Sequence, residues 1–275
     1  MPDIAWYFPE SLEEVPALLA KIGVIPHAGG TGILKGRLRS VKGLIDLSRL
    51  PLRTFDAHGG FYDLGATLTY ADAARHMGRA EPSHVLVEAL SRAASTPLRN
   101  RITLGGSIAF YPLWSDLMGP LIALDTELSL AGPESGGRAA RCPLADYVSR
   151  AELRKGKLIT AVHVKTERWE ALYHRETRTA ADYPAFTATV LLKRRSGAAA
   201  DSRIVLSGVK GKYRRLTELE ELFNGAGGPG DVTEAAVAEK LDADFGPKRW
   251  GGAEYMKQLA VVALHRALRR ALGKG

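Results

Sequence analysis

Cysteine is almost absent: Cys142 is the only one in 275 residues. A single thiol closes no disulfide within the chain, and it leaves the chain unable to hold an iron–sulfur cluster with its own thiolates. No apolar run approaches the roughly 20 residues that a bilayer-spanning helix needs. The opening stretch, MPDIAWYFPESLEE, has no basic segment followed by an apolar one, so no secretory leader is expected. Short signatures of hydrolytic, metal and redox chemistry are missing as well. There is no H-E-x-x-H, no G-x-S-x-G and no C-x-x-C, and the seven histidines are scattered as satisfied surface or core residues would be. Together these absences point to a cytoplasmic protein with no metal site and no catalytic side chain of its own.

What is present is an ordinary globular composition, 45% hydrophobic and 25% charged. The length allows one large domain or two to three small ones. Lys and Arg number 38 against 30 Asp and Glu, a net charge of +8. The positive charge is dispersed. Its densest cluster is Lys257, His265, Arg266, Arg269, Arg270 and Lys274 near the end of the chain. No nucleic-acid motif accompanies it, so a mixed basic surface or an acidic protein partner explains it better than nucleic acid.

Patterning divides the chain into three regions: 1–54, 55–167 and 168–275. In the first, Ser11 and Glu14 form an S-x-x-E capping box ahead of Val15, Leu18, Leu19 and Ile22. Residues 24–28 and 44–47 read as buried strands. In the second, 61–66, 127–131 and 158–164 read as strands and 69–77 and 85–94 as helices; 116–124 reads as a helical turn capped by Ser115, and 133–137 as a turn. In the third, 185–192 and 203–209 read as strands of a meander with a loop at 196–200 between them. Helices follow at 216–223, 232–241 and 253–272, the last with Met256, Leu259, Ala260, Ala263, Leu264, Leu268 and Leu272 at helical spacing.

Two turns carry the chemistry. Ala28-Gly29-Gly30-Thr31-Gly32 follows an apolar strand, and three glycines in four positions are costly unless the backbone needs them. Such a turn brings successive N–H groups close to a ligand and forms a concavity that suits phosphate oxygens. A tight turn with no ligand is the bland alternative. Thr103-Leu104-Gly105-Gly106-Ser107 repeats the pattern, with Arg99, Asn100 and Arg101 just before it. A dinucleotide carries two phosphates, so two such turns meeting from separate regions could cradle its diphosphate from both sides.

These strings, taken in order with Leu98-Arg99-Asn100-Arg101, Ser115-Asp116-Leu117, Leu44-Ile45-Asp46-Leu47-Ser48, Gly65-Ala66-Thr67, Leu124-Asp125, Ala131-Gly132-Pro133, Leu206-Ser207-Gly208-Val209 and Gly252-Ala253-Glu254-Tyr255, resemble the FAD-binding medium subunits of molybdenum hydroxylases. The likeness is to carbon monoxide dehydrogenase, 4-hydroxybenzoyl-CoA reductase and the flavin domain of xanthine dehydrogenase, and it runs over nearly the whole chain. It implies an α+β fold. A two-part FAD-binding domain of PCMH type, made of a small α/β N-terminal unit and a mixed or antiparallel sheet unit with helices, precedes a C-terminal antiparallel sheet with helices.

The resemblance also implies an electron-transfer role. An iron–sulfur small subunit of 2Fe–2S type and a molybdenum-cofactor large subunit would be the partners, and NAD or a quinone the external acceptor or donor. It assigns Ala28, Gly29, Gly30, Thr31, Gly32 and Ile33, with Thr103, Gly105, Gly106 and Ser107, to the FAD diphosphate. Asp116 would accept hydrogen bonds from ribityl or ribose hydroxyls, or else favour a helix start. Ile159 would lie near the flavin or in the core. Arg175, in Tyr173-His174-Arg175-Glu176-Thr177-Arg178, would keep positive charge near the flavin or phosphates, and Tyr183 would cover one flavin face or sit half-buried in the core.

Departures from the family pattern are Gly32 where an acid or His is common, Ser107 where Asn or Asp is common, and the bulky Phe110-Tyr111-Pro112-Leu113-Trp114. Two other readings stand beside this one. A subunit of the same fold that has lost FAD could serve only as a scaffold. A Rossmann-type nicotinamide site is suggested by Gly30-Thr31-Gly32 with Asp46 ending the next strand; Gly36 falls one residue late for G-x-G-x-x-G, and the segment to Arg39 is too short and polar for the packed helix such a site needs.

Overall fold

The computed structural model describes residues 4–33, 40–132 and 139–273. The turn expected at 133–137, Gly36, Arg39 and Lys274 lie outside the described residues. In chain order the elements begin β1 (Ala5–Tyr7), α1 (Val15–Leu19), β2 (Val24–His27), β3 (Gly43–Asp46), β4 (Phe55–His58), β5 (Phe61–Gly65), α2 (Tyr70–Ala80), α3 (Val85–Arg92), α4 (Thr96–Arg99), α5 (Leu104–Phe110) and α6 (Met118–Ala123). They continue with β6 (Glu127–Ala131), β7 (Ala139–Pro143), α7 (Leu144–Ser149), β8 (Leu158–Lys165), β9 (Glu170–Glu176), β10 (Phe186–Arg195), β11 (Ala198–Val209), β12 (Lys212–Arg215), α8 (Thr217–Phe223), α9 (Glu234–Lys240) and α10 (Ala253–Leu272). This is an α+β fold. Among the described residues no helix is long and apolar enough to cross a membrane.

The chain forms two compact units, each assembled from separate stretches. The first takes residues 1–76, 95–111 and 124–167; the second takes 77–94, 112–123 and 168–275.

In the first unit, β1, β3 and β2 form a parallel three-stranded sheet in that order. Val15, Val24, Ile45, Leu47, Leu50, Leu52 and Leu158 make its core. The capping box closes as its sequence implies, the Ser11 amide donating to Glu14 Oε1 at 3.1 Å. The apolar stripe stops short, however: α1 ends at Leu19, and Ile22 is 86% exposed in the turn beyond. The larger sheet is antiparallel, in the order β4-β5-β8-β6-β7. Its central strand β8 is mostly buried, and α5 packs against it. On its polar side Asp63 Oδ1 and Ser129 Oγ each lie 2.6 Å from a ring nitrogen of His163, which satisfies that buried histidine across three strands.

In the second unit β12-β11-β10-β9 form an antiparallel sheet. Phe186, Ile204, Leu206, Leu219, Phe223, Met256 and Leu264 belong to the core between this sheet and helices α8, α9 and α10. The loop expected at 196–200 is tighter than its composition suggests. Ser196 and Gly197 both take positive φ, 52° and 85°, a two-residue connection whose twist matches that of the strands it joins. The hairpin therefore lengthens, with β11 resuming at Ala198.

Candidate functional site

The two glycine turns meet inside the first unit. A Cβ at Gly29 would stand 1.7 Å from the Arg101 carbonyl oxygen, so only a residue without a side chain lets the end of β2 lie against the segment entering the second turn. The Arg101 guanidinium closes the contact, donating to the Gly29 carbonyl through Nη2 at 3.2 Å and Nε at 3.4 Å. Beyond Gly29 the backbone turns at Gly30, with φ +73°. At Gly32 the place of a side chain is taken by the Phe110 ring, 3.1 Å from the Cβ position. Ala28, Thr31 and Ile33 are all half-buried. Among the described residues, no amide of 28–33 donates to a backbone carbonyl.

The second turn is the start of a helix. Thr103 is the N-cap of α5, its Oγ1 accepting the Gly106 amide at 3.3 Å. The Leu104 amide donates to the Leu68 carbonyl at 2.9 Å, the Gly105 amide to Ala66 at 2.8 Å and the Ser107 amide to Thr103 at 2.9 Å. The Ser107 hydroxyl lies 2.5 Å from that of Tyr70. The two glycines differ. Gly105 is buried, its absent Cβ 2.8 Å from the Ala66 methyl, while Gly106 is exposed and a Cβ there meets only Thr103 Oγ1, at 2.7 Å. Gly105 thus serves close packing, and Gly106 keeps an open face.

Carboxylates stand behind both turns. Burial pushes Asp46 up, yet hydrogen bonds from the Ser48 hydroxyl and amide, with His27 and Arg49 nearby, hold it below the usual carboxylate range. Its Oδ1 accepts the Ser48 amide at 2.8 Å. Asp72 follows the same balance: burial raises it, and the Thr69 hydroxyl, Arg53 and Arg75 bring it down. Asp72 anchors Thr69, which bridges to Thr103 and so supports the second turn.

Ile159 is a buried residue of β8, paired with Leu130, and is 4% exposed. Asp116, Arg175 and Tyr183 lie in the second unit. Asp116 Oδ1 accepts from Arg175 Nε and from the Tyr173 hydroxyl, each at 2.7 Å. Burial pushes the Asp116 carboxyl up, offset in part by Arg175 and Tyr173. The two ionic side chains are almost wholly enclosed, 5% and 3% exposed. Arg175 is thus engaged with Asp116 and with the carbonyls of Ala180 and Asp182 in its own unit. Tyr183 is not a half-buried core residue. It is 51% exposed, with its ring 4.9 Å from that of Trp114.

Sequence reasoning missed Tyr70, Asp72, Tyr173 and the full part played by Arg101. Tyr173 and Arg175 stand two apart on β9, a spacing that puts both on one face of a strand, but the strand itself was not anticipated.

Comparison with known proteins identifies the family. Residues 2–165 match the family described as FAD binding domain in molybdopterin dehydrogenase, and residues 171–271 match CO dehydrogenase flavoprotein C-terminal domain. Nicotine 6-hydroxylase medium subunit of Paenarthrobacter nicotinovorans is 25% identical over 278 residues, covering 98% of this chain and 97% of the relative. Carbon monoxide dehydrogenase medium chain of Hydrogenophaga pseudoflava is 26% identical over 280 residues, covering 98% and 97%. A solved carbon monoxide dehydrogenase from Hydrogenophaga pseudoflava superposes with a TM-score of 0.87 at 25% identity, covering 99% of this chain and 98% of the other. Quinoline 2-oxidoreductase from Pseudomonas putida 86 shares the fold, with a TM-score of 0.88 at 20% identity and coverage of 99% and 98%. Two adjoining glycine turns and two successive family matches lead to one conclusion: the chain belongs to the family of the FAD binding domain in molybdopterin dehydrogenase, as an FAD-binding medium subunit of the molybdenum hydroxylases.

Proposed function

We propose that this subunit passes electrons between an iron–sulfur subunit of 2Fe–2S type and an external acceptor or donor such as NAD or a quinone, within a cytoplasmic complex whose large subunit carries the molybdenum cofactor. The observation that supports the assignment of the site is the contact of Gly29 with Arg101, which joins the first turn to the segment entering the second. In this reading the amides of 28–33 hold the FAD diphosphate. The second turn adds the Gly106 amide, whose bond to Thr103 Oγ1 is long at 3.3 Å, and the hydroxyls of Thr103 and Ser107. Arg101 fixes the spacing of the two turns and places a cation next to the anionic group. Phe110 fills the space at Gly32 and dries that side of the cradle.

The flavin supplies the redox chemistry when bound, since it exchanges electrons singly or in pairs; the chain's part is binding, orientation and shielding. The three-part division at 54 and 167 is retained as a proposal for how the cofactor-holding and C-terminal regions are organised. Medium subunits and a complex subunit among the relatives support an assembly.

The test is Gly106→Val in the full chain. Its Cβ displaces the Thr103 cap, and its methyls occupy the open face. FAD affinity is expected to fall by at least about tenfold while circular dichroism stays that of the parent. Unchanged affinity would remove Gly106 from the site. A parent protein that is colourless and takes up no added FAD would favour the scaffold reading instead.

A further inference from the structure

We propose that the recess between the link from α2 to α3 and the strands β9 and β10 binds a small aromatic carboxylate, with Arg168 receiving the carboxylate and Trp169 in the wall that takes the ring. The recess lies wholly within the second unit, and the proposal does not depend on the FAD reading above.

The recess has a volume of about 640 Å³, inside the range of roughly 300–1,000 Å³ that small-molecule sites occupy. Its walls come from 80–83, 168–170 and 192–194. Ala80, Pro82 and Trp169 supply apolar surface. The charged groups are Arg168, Lys193, Arg194, Glu81 and Glu170, and they do not weigh alike. Arg194 and Glu170 are spent on each other, Arg194 Nε donating to the two carboxylate oxygens at 3.0 and 3.2 Å. Arg194 also donates through Nη1 to the Gly197 carbonyl at 3.0 Å and through Nη2 to that of Ala271, which turns the pair toward α10. Two cations, Arg168 and Lys193, are then left against one carboxylate, Glu81, which is only 9% exposed. The surplus is one positive charge, and a monoanion matches it.

The wall is ordered in advance. Lys193 Nζ lies 4.1 Å and Arg203 Cζ 4.6 Å from the centroid of the Trp169 ring. Arg203 is anchored in turn, its Nη1 donating to the Ala123 carbonyl at 3.0 Å. A cation–π contact orients a cation without cancelling its formal charge, so the flank around Trp169 is fixed and stays electropositive. Arg168 is exposed, and among the described residues it has no hydrogen bond or ion pair. Its guanidinium is a fork that takes both oxygens of a carboxylate at once. Charge alone gains little at an exposed cation. A ring packed against Pro82 and Trp169 adds the apolar share, and walls already in place spare the ligand the entropy of ordering them.

The experiment is calorimetric titration of the full chain at constant ionic strength with three probes: benzoate, benzamide as the ring without the charge, and acetate as the charge without the ring. Benzoate is expected to bind with a dissociation constant of about 1 mM or below, and each of the other two at least about tenfold more weakly. Arg168→Gln, at an exposed position, should lose about tenfold in benzoate affinity and keep the parent's circular dichroism. Arg266→Gln removes an equal charge from α10 and should bind benzoate as the parent does. Trp169→Leu should also weaken benzoate; if that variant fails to fold, the two arginine variants still decide. Benzoate is expected to slow amide exchange at 80–83 and 168–170. No heat of binding up to about 10 mM benzoate, equal affinity for benzamide, an equal loss in Arg266→Gln, or slowed exchange only outside those two segments would each overturn the site.

Discussion

The two glycine turns look alike in sequence and differ in what their backbones have left to give. Both pair glycines with hydroxyls, and both belong to the same unit. The first leaves the amides of 28–33 without a described backbone acceptor; the second has already given the amides of Leu104, Gly105 and Ser107 to Leu68, Ala66 and Thr103. Composition alone cannot separate an anion cradle from a helix start that needs close packing. The difference lies in where each N–H points, and that depends on residues far away in the chain. In the proposed reading a diphosphate takes most of its main-chain donors from the first turn, while the second supplies hydroxyls and a rigid wall.

That comparison can be broken in graded ways. The largest effect is expected from Gly29→Ala. Its Cβ meets the Arg101 carbonyl oxygen at 1.7 Å, and backbone cannot swing aside as a side chain can. A loss of about 3 kcal/mol and of co-purified FAD is expected, read by thermal unfolding and flavin absorbance. Full FAD occupancy in this variant would show that the first turn is not the diphosphate seat.

Gly105→Ala should lose about 2 kcal/mol of stability by crowding Ala66, yet the folded protein should keep its FAD dissociation constant within about threefold. A matching collapse of affinity would mean that the two turns share the donor role equally. Thr103→Val removes the cap hydroxyl at constant shape, and about 1 kcal/mol should go with it. Urea midpoints measure that cost, and FAD titration shows whether the hydroxyl also serves the ligand.

The smallest effect concerns acid. Asp46 and Asp72 are both held below the ordinary aspartate value of 3.8. The folded state therefore binds fewer protons than the unfolded chain, so their contribution is present above that value and is lost as pH falls through the lower folded range. Asp72→Asn should flatten the acid end of the stability profile and loosen the second turn first. Asp46→Asn should flatten it with the first turn more affected, as amide exchange of each turn would report.

Much of this architecture was legible from the chain. The α10 pattern of Met256, Ala260, Leu264, Leu268 and Leu272 fixes a helix because each falls on one buried stripe, and the structure places it at Ala253–Leu272. The capping box at Ser11 and Glu14 is equally local. By contrast α5 reads as a turn, since Gly-Gly-Ser has poor helix propensity. It is helical because Thr103 caps it and Gly105 packs on Ala66. Strands β7 and β9 escape notice because their residues are half-polar and lie at sheet edges. Asp116 and Arg175 could each be marked as charged residues of interest, but nothing local says that they neutralise one another across 59 positions. Local rules show which groups are available; tertiary packing decides which of them are already engaged.

The interleaving of the two units bears on how the chain is made. The polypeptide passes from one to the other five times, the fifth crossing opening its last stretch at residue 168. Emerging from the ribosome, helix α3 must wait for the strands of its own unit, which are translated only after every part of the first unit has appeared. Both glycine turns belong to that earlier unit, so in the proposed reading the groups that hold the diphosphate have all emerged once residue 167 is free. A nascent chain could already hold its cofactor then, with residues 168–275 still to come, and a truncation there would leave segments 77–94 and 112–123 stranded without the sheet they pack on.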